Sequence, residues 1–218
     1  MAAQVREQIE AVSGVEVSDF DIPDKRLGES YILGLQLAPT RTALSAAELV
    51  AVVEVLGEYR NDYSAMRKSQ GVRIVVNGDR YISVGWSSPS RGAEASVVSI
   101  GSDGTPAYDA MYCEFPELEL LEVTGSGSDF TRIAECSPKL ESLWITGWED
   151  AVGYDGLAGL GGLNELGITG TVEDINDLPR LESLKSLRLH LADDTPENHQ
   201  RVQAMFPDCH IVFEEFPR

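Results

Sequence analysis

The sequence predicts a protein of the α/β class, in which an N-terminal α+β domain packs on a C-terminal array of short repeats. Three observations support this prediction: a fourfold repeat in the second half, one strongly marked helix in the first half, and a hairpin signal that follows this helix. A chain of 218 residues is long enough for two small domains. We assign residues 1–112 to the N-terminal domain and residues 113–218 to the array.

The repeat is visible in the spacing of its leucines. Each copy begins with a leucine and has further apolar residues three and five positions later, and successive copies begin 22, 23 and 21 residues apart. Because side chains alternate along a strand, the later two apolar positions should point into a core and the residues between them should face solvent. The four copies are Leu118-x-x-Leu121-x-Val123, Leu140-x-x-Leu143-x-Ile145, Leu163-x-x-Leu166-x-Ile168 and Leu184-x-x-Leu187-x-Leu189.

This pattern resembles the leucine-rich repeat family, whose period is about 20–29 residues. The resemblance covers approximately residues 113–213 and implies a short parallel sheet whose concave side serves as a binding surface. The family usually carries asparagine or cysteine shortly after the third apolar position, and this sequence departs from that pattern. The residues at these positions are Ser126, Trp148, Thr171 and Ala192.

Within this geometry the residues between the apolar positions form three rows across the sheet. The middle row should expose Trp144 beside Gly167, leaving a shallow dent that Glu122 and Arg188 flank. The alternative is that the N-terminal domain folds over this side and buries Trp144. The predicted rows are Leu120, Ser142, Glu165 and Ser186; Glu122, Trp144, Gly167 and Arg188; and Thr124, Thr146, Thr169 and His190.

These rows supply the candidate partner-binding residues, and Trp148, at the end of the strand that carries Trp144, is expected to extend the patch. Tryptophan and arginine are enriched among the residues that dominate binding energies at protein interfaces. The threonine row has a structural explanation, since threonine pairs stabilise neighbouring strands, and His190 continues that row. The candidates are Trp144, Trp148, Glu122, Arg188, Glu165, Leu120 and His190.

The N-terminal domain is expected to be an antiparallel sheet with one long helix, capping the first repeat. Ser45 and Glu48 form a capping box at the start of this helix, and Asn77-Gly78 is a strong hairpin signal. At the other end, a helix over 195–206 and a last strand over 207–213 should form a truncated fifth repeat. The predicted N-terminal elements are a helix over 2–12 that ends near Gly14, the long helix from Ser45 to about Ser69, and strands over 31–37, 72–76, 80–86 and 96–100.

The charge of the chain is strongly negative and uneven. The formal net charge is −19. Residues 1–112 carry 15 acids and 10 bases (net −5), whereas residues 113–218 carry 21 acids and 7 bases (net −14). Such a surface repels phosphate backbones and speeds encounter with basic proteins. We therefore expect no nucleic-acid partner and a basic protein partner; solubility alone is the simpler explanation of the charge.

The cysteines and the hydropathy pattern predict a cytoplasmic protein. An odd number of cysteines at wide spacing indicates reduced, buried thiols rather than a disulfide framework. No run of 18 apolar residues exists, and the first residues lack the apolar core of a secretory signal. The three cysteines are Cys113, Cys136 and Cys209.

Motifs that carry chemistry are missing from the sequence. It contains no G-x-x-x-x-G-K-[ST], G-x-S-x-G, H-E-x-x-H or C-x-x-C motif. We therefore expect no enzymatic activity, no cofactor and no metal. The most specific hypothesis is an acidic inhibitor or immunity protein that neutralises a basic, toxin-like partner. The alternatives are a general scaffold or adaptor, and a small-ligand or enzymatic site between the strand Tyr81–Trp86 and the long helix.

Overall fold

A computed structural model shows a mixed α/β protein with two compact units, each of which is described by itself. The described residues that precede Phe115 form the first unit, and those from Phe115 onward form the second. The structure describes residues 2–21, 31–39, 41, 44–62, 71–76, 80–86, 97–102, 111–124, 130–146, 154–172 and 175–214.

The first unit contains a mixed sheet of five strands whose spatial order follows the chain. Three of its neighbouring strand pairs are antiparallel, but the second and third strands are parallel. The elements are α1 (Ala2–Ser13), β1 (Glu16–Asp21), β2 (Tyr31–Gln36), α2 (Ala46–Asp62), β3 (Gly71–Val76), β4 (Arg80–Trp86), β5 (Val97–Ser102) and a 3-10 helix (Met111–Glu114).

The predicted antiparallel sheet is therefore wrong for one of its strand pairs. Strands β2 and β3 are parallel because α2 lies between them in the chain, and a helical crossover returns the chain to the end of the sheet from which it started. The helix that the sequence predicts over 2–12 is confirmed as α1, and α1 packs against α2.

The start of α2 has the capping box that the sequence predicts. The Glu48 backbone N–H donates to Ser45 Oγ (3.3 Å), and the Ser45 backbone N–H donates to the Glu48 carboxylate (2.8 Å). The same carboxylate pairs with Arg41 (2.7 Å). These hydrogen bonds hold the pKa of Glu48 below its ordinary value, the backbone N–H of Ser45 contributing most. Residues 63–70 and the turn at 77–79, to which further predictions applied, lie outside the described residues.

The second unit contains a five-stranded, all-parallel sheet, again in chain order. This confirms the parallel sheet that the resemblance to leucine-rich repeats implies. All twelve apolar residues of the four copies are buried, none being more than 5% exposed. The elements are β6 (Leu120–Thr124), α3 (Phe130–Cys136), β7 (Ser142–Thr146), a 3-10 helix (Tyr154–Gly159), β8 (Glu165–Val172), a 3-10 helix (Ile175–Asp177), β9 (Ser186–Leu191), α4 (Pro196–Met205) and β10 (His210–Phe213).

A tight turn precedes every strand of the second unit. In the first repeat the backbone N–H of Leu118 donates to the carbonyl of Phe115 (3.1 Å). The last repeat has the same bond, which places Cys209 where the other repeats have their first leucine. The last repeat has one residue fewer between this turn and its strand than the other repeats have. Its apolar residues therefore do not align with those of the other copies in the sequence. The other bonds join Leu140 to Ser137, Leu163 to Leu160, Leu184 to Leu181 and Cys209 to Phe206.

Backbone hydrogen bonds also fix the register at the start of these strands. The carbonyl of Glu119 accepts from the N–H groups of Glu141 (2.8 Å) and Ser142 (2.9 Å). The carbonyls of Glu141 and Asn164 accept equivalent pairs from the repeats that follow them. The bonds involve only main-chain atoms, so the side chains at the starts of the strands are free to vary without loss of register.

The three cysteines differ in state. Cys209 is a free, buried thiol, and its burial raises its pKa. Cys113 and Cys136 are disulfide-bonded. The expectation of reduced thiols is therefore confirmed for Cys209 and wrong for the other two. Within the described part of the chain, no helix combines the length and the apolar character needed to cross a bilayer.

Candidate protein-binding face

The five-stranded parallel sheet has one face packed on the buried leucines and an opposite face, here called the outer face. The register places Glu122 opposite Trp144, Trp144 opposite Gly167, and Gly167 opposite Arg188. The residues of each of the first two predicted rows are thus confirmed as neighbours on adjacent strands, from β6 to β9. On β6 to β9, the outer face comprises Leu120, Glu122, Ser142, Trp144, Glu165, Gly167, Ser186, Arg188 and His190.

Trp144 lies down on the sheet instead of standing beside a dent. A Cβ built on Gly167 would lie 2.6 Å from Cζ3 of Trp144 and would overlap further atoms of the six-membered ring. The indole ring therefore occupies the space that a side chain at position 167 would fill, and Trp144 is partly buried. The prediction of a dent beside Trp144 is therefore wrong. Because Gly167 has no side chain, the indole ring fills the space above it.

Two hydrogen bonds in series hold the indole in this orientation. Trp144 Nε1 donates to Ser142 Oγ (3.1 Å), and Ser142 Oγ donates to Glu165 Oε2 (3.1 Å). Ser142 is only 9% exposed, so the hydroxyl that joins the two groups is largely shielded from water. A buried polar group that is hydrogen-bonded rigidifies its surroundings, and the two bonds hold the ring in this orientation.

Arg188 approaches the ring from the far side of Gly167. Its Cζ lies 5.4 Å from the centre of the Trp144 ring, within the range of a cation–π interaction. Its Nη1 also pairs with Glu214 Oε1 at 3.3 Å. The sequence did not indicate Glu214, because that residue follows β10, whose alignment with the other strands is hidden by the shortened turn. Arg188 is thus positioned by an aromatic ring and a carboxylate together.

The β6 side of the outer face carries groups that are not engaged in this network. Within the described residues, the Glu122 carboxylate makes no hydrogen bond or ion pair. Two positions earlier on the same strand, Leu120 is 36% exposed, which is unusual for a large apolar side chain in this structure. An apolar group and an unpaired carboxylate therefore lie side by side next to Trp144.

The third predicted row departs from the prediction at β8. Thr171, and not Thr169, lies opposite His190, because the register shifts between Ile168 and Thr171. Thr169 instead donates its hydroxyl hydrogen to the carbonyl of Ile145 (3.4 Å). His190 is partly buried at the end of the outer face. Trp148, which was expected to extend the aromatic patch, lies outside the described residues.

The alternative site in the first unit, between the strand Tyr81–Trp86 and α2, has little room beside Trp86. A Cβ added to Gly57 of α2 would lie 3.5 Å from Nε1 of Trp86, so the helix packs directly on β4 there. Trp86 is 9% exposed. Among the described residues, no cluster of histidine, cysteine and acidic side chains is arranged to hold a metal ion.

Comparison with models of known protein families and with curated proteins gives no significant match for this sequence.

Proposed function

We propose that the second unit is a non-enzymatic protein-binding module, and that the chain is an acidic inhibitor or immunity protein that neutralises a basic, toxin-like partner through the outer face. The observation that carries this proposal is the indole of Trp144, which is held in place by Ser142 and Arg188 on the outer face. A rigid, partly exposed tryptophan contributes a large contact area at little entropic cost on binding.

The charge distribution supports a basic partner. The half of the chain that carries the outer face has 21 acids and 7 bases, net −14. A field of this sign attracts a basic protein from a distance and raises its association rate, and the effect weakens as salt screens the charges. The buried leucines lie on the opposite side of the sheet, so the outer face is free to vary without cost to the core.

The experiment is capture of the partner by tagged protein from native cells, followed by binding kinetics. We expect a basic protein whose association rate falls steeply between low salt and about 0.5 M salt. Trp144→Ala should weaken the complex by about 2 kcal/mol or more, near thirtyfold. Val12→Ala removes an apolar side chain of the first unit that is 43% exposed and provides the matched control.

Three outcomes would contradict parts of this proposal. Capture of no partner, or of an acidic one, removes the inhibitor assignment. A captured partner whose association rate ignores salt favours the general scaffold or adaptor. Unchanged affinity of Trp144→Ala, with an unchanged circular dichroism spectrum, places the binding surface elsewhere on the chain.

A further inference from the structure

We infer that the outer face takes an arginine side chain of the partner, which pairs with the carboxylate of Glu122 and lies against Trp144. This inference rests on the proposed function and specifies the chemistry at its centre. It starts from the three carboxylates that lie on or beside the outer face in the described residues. Glu165 accepts a hydrogen bond from Ser142, and Glu214 pairs with Arg188. Glu122 is without such a partner there.

The position of Glu122 makes its free carboxylate useful to a ligand. It lies opposite Trp144 on the neighbouring strand, and adjacent strands are about 4.8 Å apart. The indole leans the other way, over Gly167. Glu122 is therefore a neighbour of Trp144 that the indole ring does not cover.

The molecule already uses this combination once. Arg188 is held between the Trp144 ring (5.4 Å) and the Glu214 carboxylate (3.3 Å). A partner arginine at Glu122 would meet the same two kinds of group, a carboxylate and the Trp144 ring. Because Glu214 balances the charge of Arg188, that residue offers little repulsion to a second cation.

Arginine fits this position better than lysine. Its planar guanidinium can pair with a carboxylate through two parallel hydrogen bonds while stacking on a ring, and it is less strongly hydrated than an ammonium group. The aliphatic part of the side chain would pack on Leu120, which lies beside Glu122 on the same face and is 36% exposed. Each part of an arginine thus has a counterpart on the β6 side.

The test follows the indole N–H signal of Trp144 by NMR in protein labelled with ¹⁵N-tryptophan. The signal is assigned from its loss in Trp144→Phe, and the protein is titrated with N-acetyl-arginine amide. The uncharged isostere N-acetyl-citrulline amide and N-acetyl-lysine amide serve as comparison probes. We expect a saturable shift with the arginine probe, and binding about fivefold weaker with citrulline, as for the loss of an exposed ion pair.

The deciding variant is Glu122→Gln, with Glu182→Gln as its control. Glu182 is exposed on the turn before β9, away from the outer face, so both variants change the net charge equally. Glu122→Gln should bind the arginine probe as weakly as the wild type binds citrulline, whereas Glu182→Gln should bind it normally. Equal responses of the two variants, or equal binding of arginine and citrulline, would overturn the inference.

The same pair of variants separates this inference from the proposed function. If a captured basic partner is weakened by Trp144→Ala but not by Glu122→Gln, the outer face binds the partner and the arginine subsite is wrong. If no partner is captured, the proposed function fails regardless of the response to the arginine probe.

Discussion

Both units contain a five-stranded sheet in chain order, but the two sheets are specified in different ways. In the second unit the same turn precedes every strand, and the same buried positions recur in the four leucine-containing repeats, so one sequence pattern specifies four of its five strands. In the first unit each strand pair has its own connection, and one helical crossover changes a pair from antiparallel to parallel. Regular repetition thus leaves one face of the second sheet open to variation, and the candidate site lies on that face.

The largest expected effect comes from removing a repeated core position. Leu143→Ala deletes a side chain that is fully buried in β7. We expect the free energy of unfolding of the second unit to fall by about 3–4 kcal/mol, from lost burial plus an incompletely closed cavity. Urea denaturation followed by circular dichroism measures this loss. Leu120→Ala, on the outer face of the adjacent strand, is the matched control and should cost less than about 1 kcal/mol. Similar losses in the two variants would contradict the assignment of the two faces.

A smaller effect is expected from the glycine beneath the tryptophan. The Cβ of Gly167→Ala would overlap the Trp144 ring, so the indole must move off the sheet and its bond to Ser142 is disturbed. We expect a loss of about 2 kcal/mol in stability, as for overpacking elsewhere, and a change in the NMR signal of the indole N–H. Gly161→Ala is the control, since a Cβ there meets no atom within 4 Å. An unmoved indole signal in Gly167→Ala would show that the ring is not fixed as described.

A third comparison uses pH. Burial, and secondarily the charge of Asp177, raises the pKa of Tyr154 in the second unit to about 12. An unfolded tyrosine ionises near pH 10, so the stability that depends on neutral Tyr154 is complete below pH 10 and is lost as the pH rises toward 12. At pH 11 this loss is about 1.4 kcal/mol.

Tyr154→Phe should remove this alkaline loss while keeping the stack with Phe130, whose ring centre lies 6.3 Å away. The measurement is the urea midpoint at pH 8 and pH 11 for both proteins. If the variant loses as much stability as the wild type between these values, the alkaline sensitivity arises from other groups.

The sequence predicted the second unit well because the leucines that form its core are also the residues that set its period. It also predicted which residues neighbour Trp144, since register follows from the same alignment. It did not predict the orientation of the ring, which depends on the empty space above Gly167, or the pairing of Arg188 with Glu214. The position of Thr169 was missed as well, because two additional residues in β8 leave no mark in the leucine spacing.

In the first unit, the sequence predicted what is encoded locally. The capping box of α2 and the pairing of β3 with β4 depend on residues close together in the chain, and both are confirmed. The direction of β3 relative to β2 depends on the path of the intervening helix, and no local pattern reports it. Features that depend on residues close together in the chain were therefore predicted, and a feature that depends on residues far apart was not.

The smallest predicted effect tests one of these local signals. The pKa of Glu48 is lowered, chiefly by the backbone N–H of Ser45, so its ionised form stabilises the folded state. This contribution is present above the ordinary pKa of glutamate, near 4.3, and is lost as the pH falls through the lowered value. Glu48→Gln should cost about 0.5 kcal/mol at pH 7, a small amount because the pair is largely screened by solvent. The difference in stability from the wild type should disappear in acid, and amide hydrogen exchange shows whether it arises in the first turn of α2.

Glu54→Gln, an exposed position on the same helix, should show no such pH-dependent difference in stability. If the free energies of unfolding of Glu48→Gln and the wild type still differ at low pH, packing of the side chain, and not its charge, stabilises the start of α2.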